Sequence, residues 1–552
     1  MNESWTNYGE VYTRRWVVDT LLDLIGYSPA ADLGAKLIVE PSVGSGIFLE
    51  GIVERLFASA QIHNRDLTAL GSAIRAFDLL PESVQKTRDR ISKKLLRYGL
   101  LERETRSLVS EWINVADFLL EKDMSPCDFI VGNPPYIRLE DIPEEIAGEY
   151  RATWKTMRGR ADIYVGFYER GLTLLKPDGV LGYICADRWM RNQYGEGLRG
   201  LVFDRFSMDQ VWTLHDVDAF ENQVSAYPAV TVISRKKQGP VVVASTTSEF
   251  TSESALRLTE WSLGSQIEEF WGTGVSAYRM ASWFETSEMW PTGTPSLVAL
   301  MEYLNENFAP LSQTVKVGIG IATGADKTYI VKDAPIERDR LLPVAMVGDL
   351  RTDGRFVWGG YHLVNPWTDS GTLVALADYP LLAAYLSSNA KLVERHTAKR
   401  NPNQWYRTID KVNTSLTSTP KLLIQDMRSQ INPVLDSGGF YPHHNIYFMT
   451  SDVWDLEVLG GILISRIGQG FIEAYGVRMR GGTLRFQSQY LRKIRLPNPH
   501  SIASDTENLL RSAFRDRDVI SATMASAEAY GIDPQDYGLV DEDLGLGYER
   551  RR

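Results

Sequence analysis

The sequence predicts an α/β domain built on a seven-stranded, mostly parallel sheet, followed by a second domain of mixed α+β structure. Short apolar segments rich in β-branched residues alternate with helical patterns between residues 37 and 185, which is typical of parallel strands joined by helices. Two further strands, at residues 209–214 and 228–234, follow without a helix between them. We expect these two to form an antiparallel pair at the edge of the sheet.

The chain is 552 residues long, which is enough for several domains. We predict a first α/β domain over residues 1–240, a linker enriched in Ser, Thr and Gly over 241–290, a second domain over 291–500 and a helical tail over 501–552. The sequence has no apolar run of membrane-spanning length, and its two cysteines lie in predicted strands. These features predict a cytoplasmic globular protein with reduced thiols.

The net charge of −11 counts mildly against nucleic-acid binding, but the local distribution of charge matters more than the total. Two segments of the second half depart from this balance. Residues 399–407 mix cations, amides and aromatic rings, and residues 478–487 carry three arginines and no acid. Such segments suit contacts with phosphates and base edges, although a run of charge is also a common feature of a solvated surface.

The first helix is predicted after Thr13, a suitable N-cap, because apolar residues then recur at helical spacing. A buried strand at residues 37–40 follows and leads into a turn that contains Gly44 and Gly46. Glycines there let the backbone approach a ligand, and the helix beyond offers free N–H groups at its start. A dinucleotide-binding turn would need a third glycine, and the chain has Leu49 at that position.

Acidic residues follow the next two predicted strands. Asp78 lies at the distance from the glycine turn that one strand–helix–strand step requires, where a carboxylate can accept both hydroxyls of a ribose or can cap the next helix. Residues 82–110 are charged and helical in pattern, which indicates an insertion or a long crossover helix before a third strand at 112–115. Asp117 and Phe118 come next, and they suit an adenine whose amine donates to the carboxylate and whose ring lies against the phenyl group.

The most informative stretch, residues 127–136, ends in Asn133, Pro134, Pro135 and Tyr136. The apolar residues before Asn133 predict a buried strand, and the two prolines end it because they have no N–H to give to a sheet. An amide, a free carbonyl and an aromatic ring therefore project from one stiff turn at the carboxyl end of a strand. Ligands of open α/β sheets bind at that edge.

These groups match the chemistry of an exocyclic amine on an aromatic base. Such an amine is a poor nucleophile because its lone pair is delocalised into the ring. The Asn133 amide oxygen and the Pro134 carbonyl can each hold one N–H, and Tyr136 gives the base a flat face. This chemistry requires no metal. The alternative interpretation is a strand-ending turn without a catalytic role.

Taken together, these stretches resemble the gamma-class, Taq-type, S-adenosylmethionine-dependent DNA adenine-N6 methyltransferases of restriction-modification systems. The resemblance covers residues 8–235 motif by motif and the second domain more loosely. It implies a Rossmann-like class I methyltransferase domain followed by a DNA target-recognition domain. It also implies S-adenosyl-L-methionine as cofactor, double-stranded DNA and a separate cognate restriction endonuclease as partners, and neither metal nor membrane. Such an enzyme works in the prokaryotic cytoplasm, associated with the nucleoid.

The resemblance gives each motif a role. The expected catalytic residues are Asn133, Pro134 and Tyr136. The expected cofactor-binding residues are Thr13, Glu40, Pro41, Gly44, Gly46, Asp78, Asp117 and Phe118. The residues expected around the target base are Val11, Pro135 and Phe220, the last about one residue away from the family's spacing. The residues expected to contact DNA are Lys399, Arg400, Arg407, Arg478, Arg480 and Arg485.

Four alternatives remain open at this point. The same turn serves enzymes that methylate the glutamine amide of translation release factors, but those enzymes resemble only the first half of the chain. Methylation of RNA adenine, or of cytosine N4 in DNA, needs nearly the same groups, although Ser is more usual than Asn133 for cytosine. A catalytically idle DNA-binding subunit is the fourth, and the intact Asn133, Tyr136 and Asp117 argue against it.

Overall fold

The computed structural model describes residues 12–214, 217–221, 228–264, 267–476, 478–479 and 483–540. The chain divides into two compact units, Met1–Trp290 and Pro291–Arg552. Each unit has buried apolar side chains and sheets of its own.

The first unit contains ten strands that join into a single sheet. They are β1 (Ile38–Glu40), β2 (Ile74–Asp78), β3 (Ile113–Val115), β4 (Cys127–Gly132), β5 (Leu175–Ala186), β6 (Ser207–Thr213), β7 (Pro228–Ser234), β8 (Val241–Thr246), β9 (Glu269–Gly272) and β10 (Val275–Met280). Their order across the sheet is β3-β2-β1-β4-β5-β7-β6-β8-β10-β9. The non-sequential order means that helices must carry the chain from one strand to another.

The helices of this unit connect the strands. They are α1 (Arg15–Leu24), α2 (Ile47–Ile62), α3 (Pro81–Arg97), α4 (Glu102–Trp112), α5 (Glu144–Thr153), α6 (Tyr164–Leu174), α7 (Arg188–Arg191), α8 (Glu196–Arg205) and α9 (Ser252–Gly264). Helix α1 packs against α2 and α9, and it buries the apolar positions that the helical spacing predicts.

Parallel pairing brings the ends of the inner strands together. Strand β1 lies between β2 and β4 and runs parallel to both, with Ile38 opposite Ile74 on one side and Phe129 on the other. The sequence after each of these strands therefore emerges at the same edge of the sheet. The loops that follow Glu40, Asp78 and Gly132 become neighbours at that edge.

The sheet differs from the prediction in its extent. The seven predicted strands correspond to β1–β7, but β7 lies antiparallel between β5 and β6, and three more strands continue the sheet beyond β6. These strands and α9 occupy residues 241–290, where the composition suggested a linker. One of the threonines there bonds within the sheet, because the Thr246 hydroxyl donates to the Thr213 carbonyl in buried surroundings.

Three local predictions also need correction. The residues at 82–110 form two helices, α3 and α4, rather than one. Trp112 ends α4 and is fully buried, with its indole N–H bonded to the Leu70 carbonyl, so the third strand begins at Ile113. Thr13 does not cap α1, because the N-cap position is Arg14 and no side chain caps it.

The second unit holds ten helices and thirteen short strands among its described residues. The helices are α10 (Pro295–Asn307), α11 (Asp326–Tyr329), α12 (Pro380–Ser387), α13 (His396–Arg400), α14 (Ser415–Ser418), α15 (Leu456–Ile464), α16 (Arg466–Tyr475), α17 (Ser488–Leu491), α18 (Ser504–Asp516) and α19 (Val519–Tyr530). The strands are β11 (Ala309–Pro310), β12 (Lys316–Ile319), β13 (Ile330–Val331), β14 (Leu341–Ala345), β15 (His362–Val364), β16 (Lys421–Gln425), β17 (Met427–Arg428), β18 (Val434–Asp436), β19 (Tyr441–Pro442), β20 (Ile446–Thr450), β21 (Arg478–Met479), β22 (Thr483–Arg485) and β23 (Arg495–Leu496).

Two four-stranded sheets, β12-β20-β16-β18 and β13-β15-β14-β19, form the larger part of this unit's strand structure. Helices α18 and α19, which lie within the predicted tail, pack on one another and on α15, so they belong to the folded body of the unit. Across the described ranges, no helix combines the length and the apolarity that crossing a bilayer requires.

Candidate active site

An open pocket of about 890 Å³ lies at the carboxyl ends of β1, β2 and β4. The loops after all three strands contribute to its wall. Eight residues that the sequence singles out line it, namely Thr13, Pro41, Gly44, Asp78, Asp117, Phe118, Asn133 and Pro135. Thr13 and Asn133, which are 120 residues apart in sequence, thus meet in one cavity.

The glycine turn after β1 forms one wall. Gly44 and Gly46 both adopt positive φ, at 46° and 80°, which L-residues rarely do. A Cβ on Gly46 would also lie 2.9 Å from the Thr87 side chain, whose hydroxyl donates to the Gly44 carbonyl. Glycine is therefore required at Gly46 by both backbone angle and space, and at Gly44 by backbone angle alone. The first turn of α2 begins directly beyond Gly46.

Asp78 connects two neighbouring parts of this wall. Its Oδ2 accepts the Gly44 N–H at 2.9 Å, and its Oδ1 accepts the Leu80 N–H at 2.9 Å, just before α3. The carboxylate lines the pocket, whereas it does not cap α3, because the N-cap position is Leu80 and no side chain caps it. An ionised carboxylate can accept further hydrogen bonds on each oxygen.

Glu40 lies behind the pocket surface rather than on it. The residue is 1% exposed, and neither carboxyl oxygen has a hydrogen-bond partner within the described part of the chain. Burial and the nearby Asp78 raise the pKa of Glu40 well above its ordinary value. A cation bound close to Glu40 would favour the ionised form of its carboxyl group. This buried acid is therefore suited to stabilise a positively charged ligand.

Asp117 and its neighbours form the opposite wall. The Tyr150 hydroxyl donates to Asp117 Oδ2 at 2.7 Å, and the Leu119 N–H donates to Oδ1 at 2.8 Å. Burial raises the pKa of Asp117, while the hydrogen bond from Tyr150 opposes that rise. Phe118 stacks on Phe167 with ring centroids 5.5 Å apart, and both rings line the pocket.

Tyr150 and Phe167 are site residues that sequence reasoning missed. Tyr150 lies in α5, and Phe167 lies in α6 among apolar residues that match an ordinary buried helix face. Neither carries a local motif signal. Their place in the site depends on how these helices pack over the loop after β3, which a single sequence does not reveal.

The turn after β4 meets the N-terminal segment. Asn133 Nδ2 donates to the Thr13 hydroxyl at 3.1 Å, and Thr13 forms an antiparallel bridge with Phe220. Backbone bonds from Arg14 to Ala219 and from Glu221 to Tyr12 extend that pairing. Thr13 therefore positions the amide of Asn133 instead of capping α1.

Aromatic rings surround Tyr136. Its centroid lies 6.4 Å from that of Tyr164 and 6.5 Å from that of Phe220, both in edge-to-face geometry. Its hydroxyl is 3.5 Å from the Ile184 carbonyl, a long hydrogen bond. The structure thus brings Tyr136, Phe220 and Asn133 into one neighbourhood, whereas Val11 lies outside the described residues.

The six basic residues that are expected to contact DNA have different surroundings. Lys399 and Arg400 are exposed at the end of α13. The Arg407 guanidinium lies 5.7 Å from the centre of the Trp367 ring, and Arg485 forms an ion pair with Asp426. Residues 478–487 contain no acid, so the charge of Arg485 is balanced by Asp426, which is distant in sequence. Arg480 and the side chain of Arg478 fall outside the described part.

Known proteins are similar to this chain over nearly its whole length. It is 39% identical over 544 residues to the Type II methyltransferase M.XhoI of Xanthomonas vasicola, covering 96% of this chain and 98% of that protein. It is 38% identical over 522 residues to the Type II methyltransferase M.BstVI of Geobacillus stearothermophilus, covering 92% and 93%. A model of the Eco57I restriction-modification methylase family matches residues 67–220.

The chain belongs to the Type II methyltransferases of restriction-modification systems. The family resemblance that the motifs predict is therefore confirmed. Among solved structures, the Type IIL restriction-modification enzyme MmeI, solved in complex with DNA, has a similar fold, with a TM-score of 0.58 at 10% identity over 96% of this chain and 73% of that one.

The cofactor of this family of methyltransferases is S-adenosyl-L-methionine, as predicted. The pocket fits this molecule, which combines a nucleoside with a cationic sulfonium and an amino-acid end. Three carboxyl groups, those of Glu40, Asp78 and Asp117, lie in or behind its wall and suit cationic and hydroxyl groups. Phe118 and Phe167 add flat apolar surface for a purine.

Proposed function

We propose that the chain methylates the N6 amine of an adenine at a specific site in duplex DNA, after that adenine has left the helix. The observation that carries this proposal is the meeting of Asn133 and Pro135 with six of the predicted cofactor residues in one pocket. The second unit would read the site. Its inclusion in the full-length similarity to Type II methyltransferases supports that division of labour.

The proposed mechanism depends on positioning. S-adenosylmethionine supplies, when bound, an activated methyl group. The chain's part is to hold the adenine amine with two acceptors, the Asn133 amide oxygen and the Pro134 carbonyl, which stabilise positive charge as it develops on nitrogen. Thr13 fixes the amide of Asn133 through the 3.1 Å hydrogen bond. Accurate placement of two reactants can supply several kcal/mol of the barrier reduction.

The surroundings of Tyr136 support an everted base. Eversion costs on the order of a few kcal/mol. Stacking on an aromatic ring returns about 1–3 kcal/mol per base, so a base lodged among Tyr136, Phe220 and Pro135 recovers much of that cost. A separate restriction endonuclease that cuts the same site when it is unmethylated is the proposed functional partner.

Transfer of tritiated methyl from S-adenosylmethionine tests this function. Duplex DNA, RNA of matched length and a protein substrate with an exposed glutamine are offered in parallel. We expect label in duplex DNA alone, and in adenine after digestion to nucleosides. Label in RNA, in cytosine or in protein would support one of the alternative methyltransferase activities, and no label in any substrate would indicate an idle subunit.

Tyr150→Phe tests the cofactor wall. Loss of the hydroxyl removes one donor to Asp117, so the pKa of this buried acid rises further. If the carboxylate form holds the cofactor, binding falls as the pH drops through this pKa. Because a hydrogen bond to a charged group contributes about 1.5–3 kcal/mol, we expect cofactor binding near neutral pH to be at least about tenfold weaker. We also expect the loss of affinity at low pH to begin at a higher pH than in the wild type.

Titration calorimetry with S-adenosylmethionine over a range of pH measures both effects. Tyr98→Phe is the matched control, because Tyr98 is a partly exposed tyrosine of the same unit that lies outside the pocket wall. An unchanged affinity and an unchanged acid limb in Tyr150→Phe would remove Asp117 from the cofactor site.

A further inference from the structure

Three potential metal ligands meet in the second unit. Within the described residues, Asp326, His443 and His444 each place a ligand atom within 4.8 Å of those of the other two. His443 Nε2 lies 3.1 Å from Asp326 Oδ2, and His444 Nδ1 lies 3.8 Å from the same oxygen. The two imidazole ring centres are 4.0 Å apart.

Backbone structure holds these side chains in place. Asp326 begins α11, and the two histidines lie between β19 and β20. Ile321 forms a parallel bridge with His443, and the Ile321 N–H donates to the Pro442 carbonyl at 2.9 Å. The two segments are thus already joined before any ligand binds, so the donor set is preorganised.

One imidazole nitrogen of this cluster is not satisfied by the protein. The Nδ1 of His444 is buried without a hydrogen-bond partner in the described ranges. It faces the carboxylate oxygen of Asp326 at 3.8 Å, beside His443, which is 4% exposed. A buried polar atom without a partner costs free energy, and a metal ion bound there would satisfy it.

A hydrogen bond orients the carboxylate. The Thr323 hydroxyl donates to Asp326 Oδ1, which leaves Oδ2 to face the histidines.

We propose that Asp326, His443 and His444 bind a divalent transition-metal ion of the Zn²⁺ type, through Asp326 Oδ2, His443 Nε2 and His444 Nδ1. Two imidazoles with one carboxylate are a usual zinc donor set, whereas Mg²⁺ and Ca²⁺ take oxygen ligands. Tetrahedral zinc with such ligands separates the donor atoms by about 3.3 Å. The observed 3.1 and 3.8 Å lie on either side of that separation.

Zinc at this position would link the start of α11 to the β19–β20 connection. Its fourth coordination position would be open to a further ligand. The site belongs to the second unit, whereas all residues of the candidate methyl-transfer pocket belong to the first. The proposal therefore departs from the expectation that the protein has no metal site, and it does not depend on the proposed methyltransferase function.

Zinc binding by the untagged full-length protein tests the site. The protein is stripped with a chelator, dialysed against Zn²⁺ and then against metal-free buffer, and its bound metal is measured by mass spectrometry. We expect one zinc per chain, and the visible absorption of a tetrahedral complex when Co²⁺ replaces Zn²⁺. Asp326→Asn and His444→Gln are each expected to weaken zinc binding at least tenfold, whereas His500→Gln, at an exposed histidine elsewhere, should not.

Thermal unfolding supplies a second readout and shows whether the variants fold. Zinc is expected to raise the melting temperature of the wild-type chain and of His500→Gln, but not that of Asp326→Asn or His444→Gln. The proposal is overturned if the stripped wild-type chain takes up no zinc above the buffer level. It is equally overturned if the Asp326 and His444 variants fold and bind zinc as the wild type does.

Discussion

Asn133→Ala is expected to lower the rate of methyl transfer about 100- to 1,000-fold, the loss that follows removal of one preorganised polar partner. The cofactor should still bind, because the glycine turn and the Asp117 wall are untouched by the substitution. Single-turnover kinetics with saturating cofactor and duplex DNA give the rate, and calorimetry gives the cofactor affinity. Near-normal turnover in a folded variant would defeat the assignment of Asn133.

Thr13→Val is the companion variant. It keeps Asn133 but removes the hydroxyl that accepts the amide N–H at 3.1 Å. A neutral hydrogen bond contributes about 0.5–1.5 kcal/mol, so we expect a loss of about tenfold at most. If Thr13→Val were as inactive as Asn133→Ala, the N-terminal segment, rather than the amide, would dominate catalysis.

Tyr136→Ala is expected to reduce turnover by about 5- to 150-fold, because stacking on an aromatic ring contributes about 1–3 kcal/mol per base. Tyr136→Phe should stay close to the wild type, since the hydroxyl makes only a long 3.5 Å contact with the Ile184 carbonyl. Turnover is measured together with fluorescence of 2-aminopurine at the target position, which reports eversion of the base.

The pair of Tyr136 variants separates two roles of this side chain. If the ring stacks on the base, we expect the 2-aminopurine fluorescence and the turnover to fall together in Tyr136→Ala. Both should persist in Tyr136→Phe. Equal activity of all three proteins would show that the ring serves only the local packing with Tyr164 and Phe220.

The local motifs made the site predictable to a large extent. Turn chemistry identifies the residues themselves, since Gly44 and Gly46 have positive φ and the prolines after Asn133 end β4. Parallel pairing of β1 with β2 and β4 then necessarily brings these turns together. For this reason the meeting of the predicted cofactor residues with the Asn-Pro-Pro-Tyr turn could be predicted from local sequence patterns alone.

What the sequence did not reveal depends on tertiary contacts. Residues 241–290 looked like a linker because Ser and Thr are frequent, but β8 pairs with β6, and a threonine hydroxyl such as that of Thr246 bonds within the sheet. Thr13 resembles a helix cap until Asn133 is seen beside it. Asp426 neutralises Arg485 from 59 residues away. Distant partners of this kind leave no mark on local spacing.

Single-molecule sequencing of genomic DNA from cells that express the chain tests the central claim most directly, because it reports the modified base and its sequence context together. The account predicts N6-methyladenine at every copy of one short sequence, absent from cells that express Asn133→Ala at the same level. Cytosine N4 methylation, or genomic DNA without a methylated site beside abundant folded protein, would contradict it.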